Sequence, residues 1–314
     1  MLKKYDFMAL ISVNNANPNG DPNMAGRPRQ DADGYGIISD VCLKHKLRNR
    51  MLDAGAKILY VSDDRATDGM TSVQQRANAI PDEDGMTLAE RVCKQYADVR
   101  AMGAVLAYKN KDKEKDSKVK AKRKQENEDA SDMGENTPGS VSCKVRGPLT
   151  LQMGMSVDPI VIEELQITKS LNGSEAEKEG EMTSDRMGWK TYVPFGLYVV
   201  KGSINPLLAE KTGLSEEDVE MIKQGLATLF ENDESASRPA GSMTVEKLVW
   251  WTHPGQNGAT SSGALYRTVS VENKNPDKAP MSYADYTVKV DSESAKKLGI
   301  EVEEYQPMTG WVKN

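Results

Sequence analysis

The sequence predicts an α+β fold in which helices pack on an antiparallel sheet. Three observations carry this. Apolar alternation of period two recurs in well-separated runs, starting with "YDFMALISV" at residues 5–13 and ending with "YTVKVD". Two helix signals with caps fall between those runs. The order is strand, helix, strands, strand, helix, strands, rather than a regular strand–helix alternation.

The first strand places Tyr5, Phe7, Ala9, Ile11 and Val13 on one face and Asp6, Met8, Leu10 and Ser12 on the other. The loop "NNANPNGDPNMAGRPRQDADGYG" follows at 14–36, dense in turn formers and carrying Arg27 and Arg29 either side of Pro28. Ser39 reads as the N-cap of "DVCLKHKLRNRMLDAG", Asp40 lies in its first turn and Gly55 stops it. Val41, Leu43, Leu47 and Met51 give this helix an apolar side; Lys44 and Arg48 share another, with His45 and Asn49 beside them. A short strand is expected over 56–62. Thr87 and Glu90 form a capping box that opens a second helix, with Leu88, Val92, Tyr96 and Val99 as its stripe. Residues 109–140 are almost without apolar side chains and predict an exposed charged insertion. A β-rich stretch resumes at "VSCKVRGPLTLQ", a polar excursion covers "LNGSEAEKEGEMTSDRMGWK", and "YVPFGLYVVKGSIN" is a further strand. "GLSEEDVEMIKQGLATLFEND" is the clearest helix, capped by Ser215 with Asp218 at its third position and Leu214 stapled to Val219. "VEKLVWWTH", "ALYRTVSVE" and "YTVKVD" close the chain as strands. The split β-α-β order matches an RRM-like, ferredoxin-like antiparallel sheet, whose open face and loops would be free to bind.

Composition narrows the functional classes. At 314 residues the chain suits one elaborated domain or two. A 38% apolar share and a mean hydropathy of −0.60 leave much polar surface. The net charge of −6 argues against a uniformly basic nucleic-acid binder but permits a local cationic groove. No apolar run has the length of a membrane span and no signal peptide is expected. Cys42, Cys93 and Cys143 are scattered and odd in number, which points to reduced thiols in a cytoplasm. With two histidines and no C-x-x-C pair, no metal site or cofactor is expected.

No nucleotide loop, nucleophile elbow or zinc-protease signature occurs. A catalytic reading would rest on Asp21, Asp31 and Asp33 of the first loop, with Asp40, as Mg²⁺ ligands for phosphodiester cleavage. Aspartate in such a loop more often shapes turns through its own backbone. The basic set Arg27, Arg29, Lys44, His45, Arg48 and Arg50 could track a phosphate backbone; Lys44 and Arg48 would equally serve as the wet side of a helix. Arg146, Lys169, Arg186 and Lys190 are isolated basic points. Adjacent Trp250 and Trp251 point to opposite faces, one into the core and the other into a second packed face or a base-stacking platform. His253 reads as a loop histidine.

"NPNGDPN", "GRPRQD" and "SDVCLKHKLRN" resemble the CRISPR-associated backbone subunit of the type I-C Cascade surveillance complex. "VRGPLTLQ", "DPIVIEELQITKS", "VPFGLYVVKGSINPLLAEKTGLSEEDVE" and "FENDESASRPAG" extend the resemblance, in order, over most of the chain. It implies one RRM-like palm over 1–314 with inserted finger and thumb elements, the thumb at 171–188. It also implies copies stacked head to tail along CRISPR RNA, other Cascade subunits and target DNA as partners, and no enzyme activity of the chain itself. By position, Asn17, Arg27 and Arg29 in the loop and Lys44, His45, Arg48 and Asn49 in the helix would face guide phosphates, with Arg146, Lys169 and Arg186 as outlying contacts. RNA-cleaving relatives of this fold carry a carboxylate a few residues ahead of the aspartate matching Asp31. Here that stretch reads "NMAG", which favours a scaffold; the alternative is a metal-dependent nuclease using Asp21 or Asp31.

Overall fold

The computed structural model describes residues 1–109, 140–168 and 187–313. Among them, nine strands form one sheet whose pairs are all antiparallel. Across it run Gly310–Lys313, Glu301–Gln306, Met243–Thr252, Tyr5–Ala16, Met187–Ile204, Gly154–Pro159 and Tyr35–Ile38. Leu149–Leu151 and Glu163–Thr168 pair with opposite ends of Met187–Ile204. The four strands Met243–Thr252, Tyr5–Ala16, Met187–Ile204 and Gly154–Pro159 thus lie in the order fourth, first, third, second. The helix Asp40–Asp53 falls between the first and second in sequence, and Pro206–Thr212 and Glu216–Ala227 fall between the third and fourth.

Tyr5–Ala16 is central because one face is apolar and the other buries Met8 and Leu10 beside the polar Asp6 and Ser12. Its first nine residues are all buried. Phe7, Ala9, Ile11 and Val13 join Leu43, Leu47, Ile222, Leu226 and Trp250 in the main core, and Phe7 stacks on Trp250 with ring centroids 5.4 Å apart. The open sheet face expected from sequence is absent. Met8, Val249 and Trp251 pack with Leu265, Ala295 and Ile300, while Leu10, Phe195 and Leu197 pack with Tyr286. Helices Ser262–Tyr266 and Ser292–Lys296 and the hairpin Val269–Asn273 with Tyr286–Val290 supply that second layer. The cause is hydrophobic: each large side chain removed from water there is worth about 1.5–3 kcal/mol. Both tryptophans are therefore core residues, and His253 is fully buried, its Nε2 2.8 Å from the Asp6 carboxylate and its Nδ1 accepting from Ala259 N–H.

The helix signals fall where expected. Ser39 Oγ accepts from Cys42 N–H at the start of Asp40–Asp53, and Ser215 with Asp218 forms a capping box on Glu216–Ala227. Leu214 and Val219 are both buried. Val41 departs from expectation. It is 68% exposed, because Leu43, Leu47 and Met51 fix the inward side and leave it on the outer one.

A second apolar cluster gathers Leu59, Val92, Cys93, Tyr96, Val99, Leu106 and Cys143. It joins the helices Leu88–Gln95 and Ala97–Met102 to the hairpin Gly103–Lys109 with Ser140–Arg146. The Thr87–Glu90 capping box is present. The strand expected over 56–62 does not form: the N–H groups of Leu59 and Tyr60 are taken by the buried Asp98 carboxylate instead of a partner strand. Lys109 pairs with Ser140 and Thr168 with Met187. The charged insertion at 109–140, apart from its two end residues, lies outside the described residues. So does the thumb-like segment 171–188, save Met187 and Gly188. Among the described residues no helix is long and apolar enough to cross a membrane.

Close packing at Gly202 gives a test of the sheet. A Cβ there would meet Phe7 Cζ at 2.3 Å and Thr150 O at 2.6 Å. Phe7 is held by Trp250 and Thr150 O is backbone, so neither can yield cheaply. Gly202→Ala is expected to lose about 1–3 kcal/mol, read as a lower urea midpoint. An unchanged midpoint would show that the strand relaxes freely.

Candidate nucleic-acid interface

The first loop is a small built hairpin. Gly20 pairs with Pro28 and Asp21 with Arg27. Between them Pro22–Met24 makes a 3-10 turn, with Pro22 where its missing N–H costs nothing. Asp21 Oδ1 accepts from Asn23 N–H at 2.9 Å. Ala25 and Gly26 turn the chain back with φ of 51° and 80°. Asn17 is buried and its Nδ2 donates to Gly26 O at 2.7 Å. Asn19 Oδ1 accepts from Ser39 N–H at 2.9 Å, tying the hairpin to the start of the helix. Asp31 Oδ1 accepts from Asp33 N–H and Tyr35 N–H at 3.0 and 2.8 Å, an Asx turn.

The cations differ in how firmly they are held. Arg27 Nη1 lies 2.7 Å from Glu164 on Glu163–Thr168, a strand exposed at all six positions. Arg29 Nη1 is 3.5 Å from Asp21. Lys44 pairs with Asp40 one turn back at 2.9 Å. Arg48 Nε is 3.3 Å from Asp98 and the guanidinium sits 5.0 Å over the Tyr60 ring, so it holds the helix to the second cluster. Burial pushes the Asp98 carboxyl up, against the hydrogen bonds of Leu59 and Tyr60 and the charge of Arg48. His45 stands on the outer side with Val41 and Lys44. Partial desolvation and the charges of Lys46 and Arg48 lower its pKa from the ordinary imidazole value. Asn49, placed by sequence beside the wet face, is buried. Arg146 is exposed at the foot of the hairpin opposite Gly103. Lys169 and Arg186 lie outside the described residues.

Sequence reasoning missed a second loop, 231–242, that closes against the first. Asn14 N–H donates to Ser242 O and Asn17 N–H to Ser237 O, at 2.8 and 3.0 Å. Arg238 Nη1 donates to Asn17 O at 3.4 Å. Lys46, 2% exposed, pairs with Asp233 and lies over the Phe230 ring. Burial pulls its pKa down, and Asp233 only partly restores it. Nothing in "KHKLRNR" distinguishes Lys46 as the buried cation except its i, i+3 and i−3 relation to inward Leu43 and Asn49. Also missed was Trp189, 65% exposed and opposite Gln166, on the same face of the strand pair as Glu164. Among the described residues no three His, Cys, Asp or Glu side chains gather as a metal-ligand group.

A family model described as "CRISPR-associated protein Cas7" matches residues 3–291. A curated relative, the CRISPR-associated protein Cas7 of Haloferax volcanii, is 26% identical over 230 residues, covering 70% of this chain and 62% of that protein. The chain thus matches less than two thirds of that relative's length. Among solved structures, a chain of a "CRISPR RNA-guided surveillance complex, pre-nicking" is similar over 94% of this chain and 86% of that one, at 11% identity and a TM-score of 0.44. A chain of a "CRISPR RNA-guided surveillance complex" is similar over 94% and 80%, at 12% identity and a TM-score of 0.44.

Proposed function

The chain belongs to the CRISPR-associated Cas7 family, and from that premise we propose that it is a non-catalytic backbone subunit that binds CRISPR RNA in a type I-C Cascade complex. The observation that carries the reading is the division of labour in the first loop. Its carboxylates Asp21 and Asp31 hold turns through backbone N–H groups, while Arg27 and Arg29 are partly exposed on a hairpin already folded. A preformed hairpin loses little entropy when it grips a ligand. Guanidinium groups on it suit phosphate oxygens without reading bases.

The sheet is read as an RRM-like palm with 1–314 as one elaborated unit, the second apolar cluster as its finger and the ribbon from Glu163 as the root of its thumb. With the sheet face covered, loops and the outer side of Asp40–Asp53 do the binding. Lys44, His45 and Arg48 line that side, with Arg48 kept in place by Asp98. Copies stack head to tail along the guide beside other Cascade subunits, in the cytoplasm, and the assembled groove meets target DNA. The acidic net charge fits, since guide–target pairing reads sequence and the protein supplies shape.

Light scattering after size exclusion should show species that grow with the length of added single-stranded RNA. A monomer at every RNA length would rule the reading out. A nuclease using Asp21 or Asp31 is the rival, and the same samples separate it. In Mg²⁺ the wild-type protein should leave RNA intact, as should Asp31→Asn. Cleavage by the wild type that Asp31→Asn abolishes would establish the rival.

A further inference from the structure

Between the sheet and the loop 279–281 lies a cavity of about 340 Å³. Its floor is apolar: Phe195 and Tyr286, with ring centroids 6.4 Å apart, join Ile160 and Leu197, and all four are buried. Among the described residues that line it, two are charged, and both are carboxylates, Asp158 and Glu163. Each accepts one phenol hydroxyl, Asp158 from Tyr286 at 2.5 Å and Glu163 from Tyr192 at 2.7 Å. Burial and the Asp158 carboxylate push the Tyr286 phenol up, so the phenol stays the donor. No cation among the described residues pairs with either carboxylate. Arg27 is taken by Glu164, which points to the opposite face of the strand from Glu163. Lys274 and Lys278 stand on the neighbouring loop outside the lining, with Asp277 and Asp285 to balance them, and Lys274 Nζ donates to Ala284 O. Two apolar side chains of the lining face solvent, Met281 at 81% and Val161 at 59% exposure. Asn14 and Asn15 complete the lining with side-chain amides.

We propose that this cavity receives an arginine side chain of a separate, basic partner polypeptide, whose apolar neighbours cover Met281 and Val161. The inference is independent of the guide-binding reading above. Guanidinium is the group that fits: its fork meets the two carboxylates while its flat face lies against an aromatic ring. The volume, near the lower end of ligand sites, holds one long side chain rather than a helix. A phosphate or an anionic headgroup would be repelled by Asp158 and Glu163. A free polyamine would meet the charge but leave Met281 and Val161 in water, forgoing their burial. The chain's net charge of −6 adds a general attraction for a basic partner and disfavours a second copy.

The test is NMR of the full chain labelled at its methionine methyl groups, with Met281→Leu identifying the Met281 signal. Titration with acetyl-Leu-Arg-Leu-amide should shift that signal. The same peptide with citrulline for arginine keeps the shape without the charge and should bind about tenfold more weakly or worse. Glu163→Gln and Asp158→Asn should each weaken the arginine peptide by about tenfold. Glu163 is exposed, so its variant serves even where Asp158→Asn does not fold. Tyr286→Phe should bind the peptide as tightly as wild type or more tightly, because it frees Asp158 and keeps its charge. Equal loss in Asp158→Asn and Tyr286→Phe would mark the Asp158–Tyr286 contact as merely structural and overturn the proposal. Equal binding of the arginine and citrulline peptides, or an unmoved Met281 signal, overturns it too. So does a shift produced as readily by spermidine, which assigns the cavity to a free polyamine, or by an oligouridylate, which assigns it to RNA. A Met281 shift on diluting the protein alone would give the cavity to a second copy and likewise overturn the separate partner.

Discussion

Lys46→Ala should destabilise the protein by about 3–5 kcal/mol, the cost of breaking a buried ion pair from one side. The ammonium is 2% exposed, and its partner Asp233 has a side chain only 10% exposed. Removing Lys46 leaves that carboxylate with Arg238 at 3.5 Å as its remaining cation. It also takes away the group lying over the Phe230 ring. The loss should come mostly from the stranded charge rather than from volume. Lys46→Met combined with Asp233→Leu should therefore cost less than either single change. Urea unfolding of the wild type, Lys46→Ala, Lys46→Met, Asp233→Leu and the double variant measures this. If Lys46→Ala cost under about 1 kcal/mol, the pair would be too weak to hold the second loop against the helix.

The second large effect is on RNA binding. Replacing Arg27 and Arg29 together by Ala should weaken association with any single strand. A charge-assisted hydrogen bond is worth about 1.5–3 kcal/mol, so each arginine is worth on the order of tenfold to a hundredfold in affinity. The salt slope should flatten by about 1.4 for two contacts. Stability should change little, because Arg27 and Glu164 are each more than 40% exposed in their pair and such pairs contribute about 0–1 kcal/mol. Glu164→Gln should act in the opposite direction, since Arg27 would no longer have to leave a carboxylate to meet a phosphate. Equal affinity in the double variant would move the groove away from this hairpin.

Local signals carried most strands and helices, but in "ALYRTVSVE", expected as one strand, Ala264–Tyr266 lie in a helix and only Val269 onward is extended. The Ser39, Thr87 and Ser215 caps are short-range chemistry written in consecutive residues, and all three hold. One face of Tyr5–Ala16 is apolar in the sequence, and the other carries Met8 and Leu10 between Asp6 and Ser12. What covers the second face comes from residues more than 250 positions away in the chain, such as Leu265 and Ile300, and no window around residue 8 contains that information. Leu59 and Tyr60 show the same limit. Their run is apolar enough for a strand, but Asp98, a single distant carboxylate, takes the N–H groups a partner strand would need. In the candidate site, Arg27 and Arg29 stand out in the sequence because turn formers surround them. Lys46, Asp233 and Arg238 were not, because their importance lies in a pairing across 187 positions and in burial, which composition does not report.

The two hairpin ends have a consequence for how this chain can vary. Lys109 faces Ser140 and Thr168 faces Met187 as paired residues, so the backbone departs and returns at nearly the same place. Whatever lies between has its ends already joined by the ladder. Doubling the length of a flexible closure adds only about 0.6 kcal/mol. The ladder pairs thus fix where the chain leaves and re-enters the described cores, whatever the length between them. A grafted reporter or a two-residue turn at either point should leave the melting behaviour of the rest nearly untouched, which makes these two positions natural ports for diversification and for engineering.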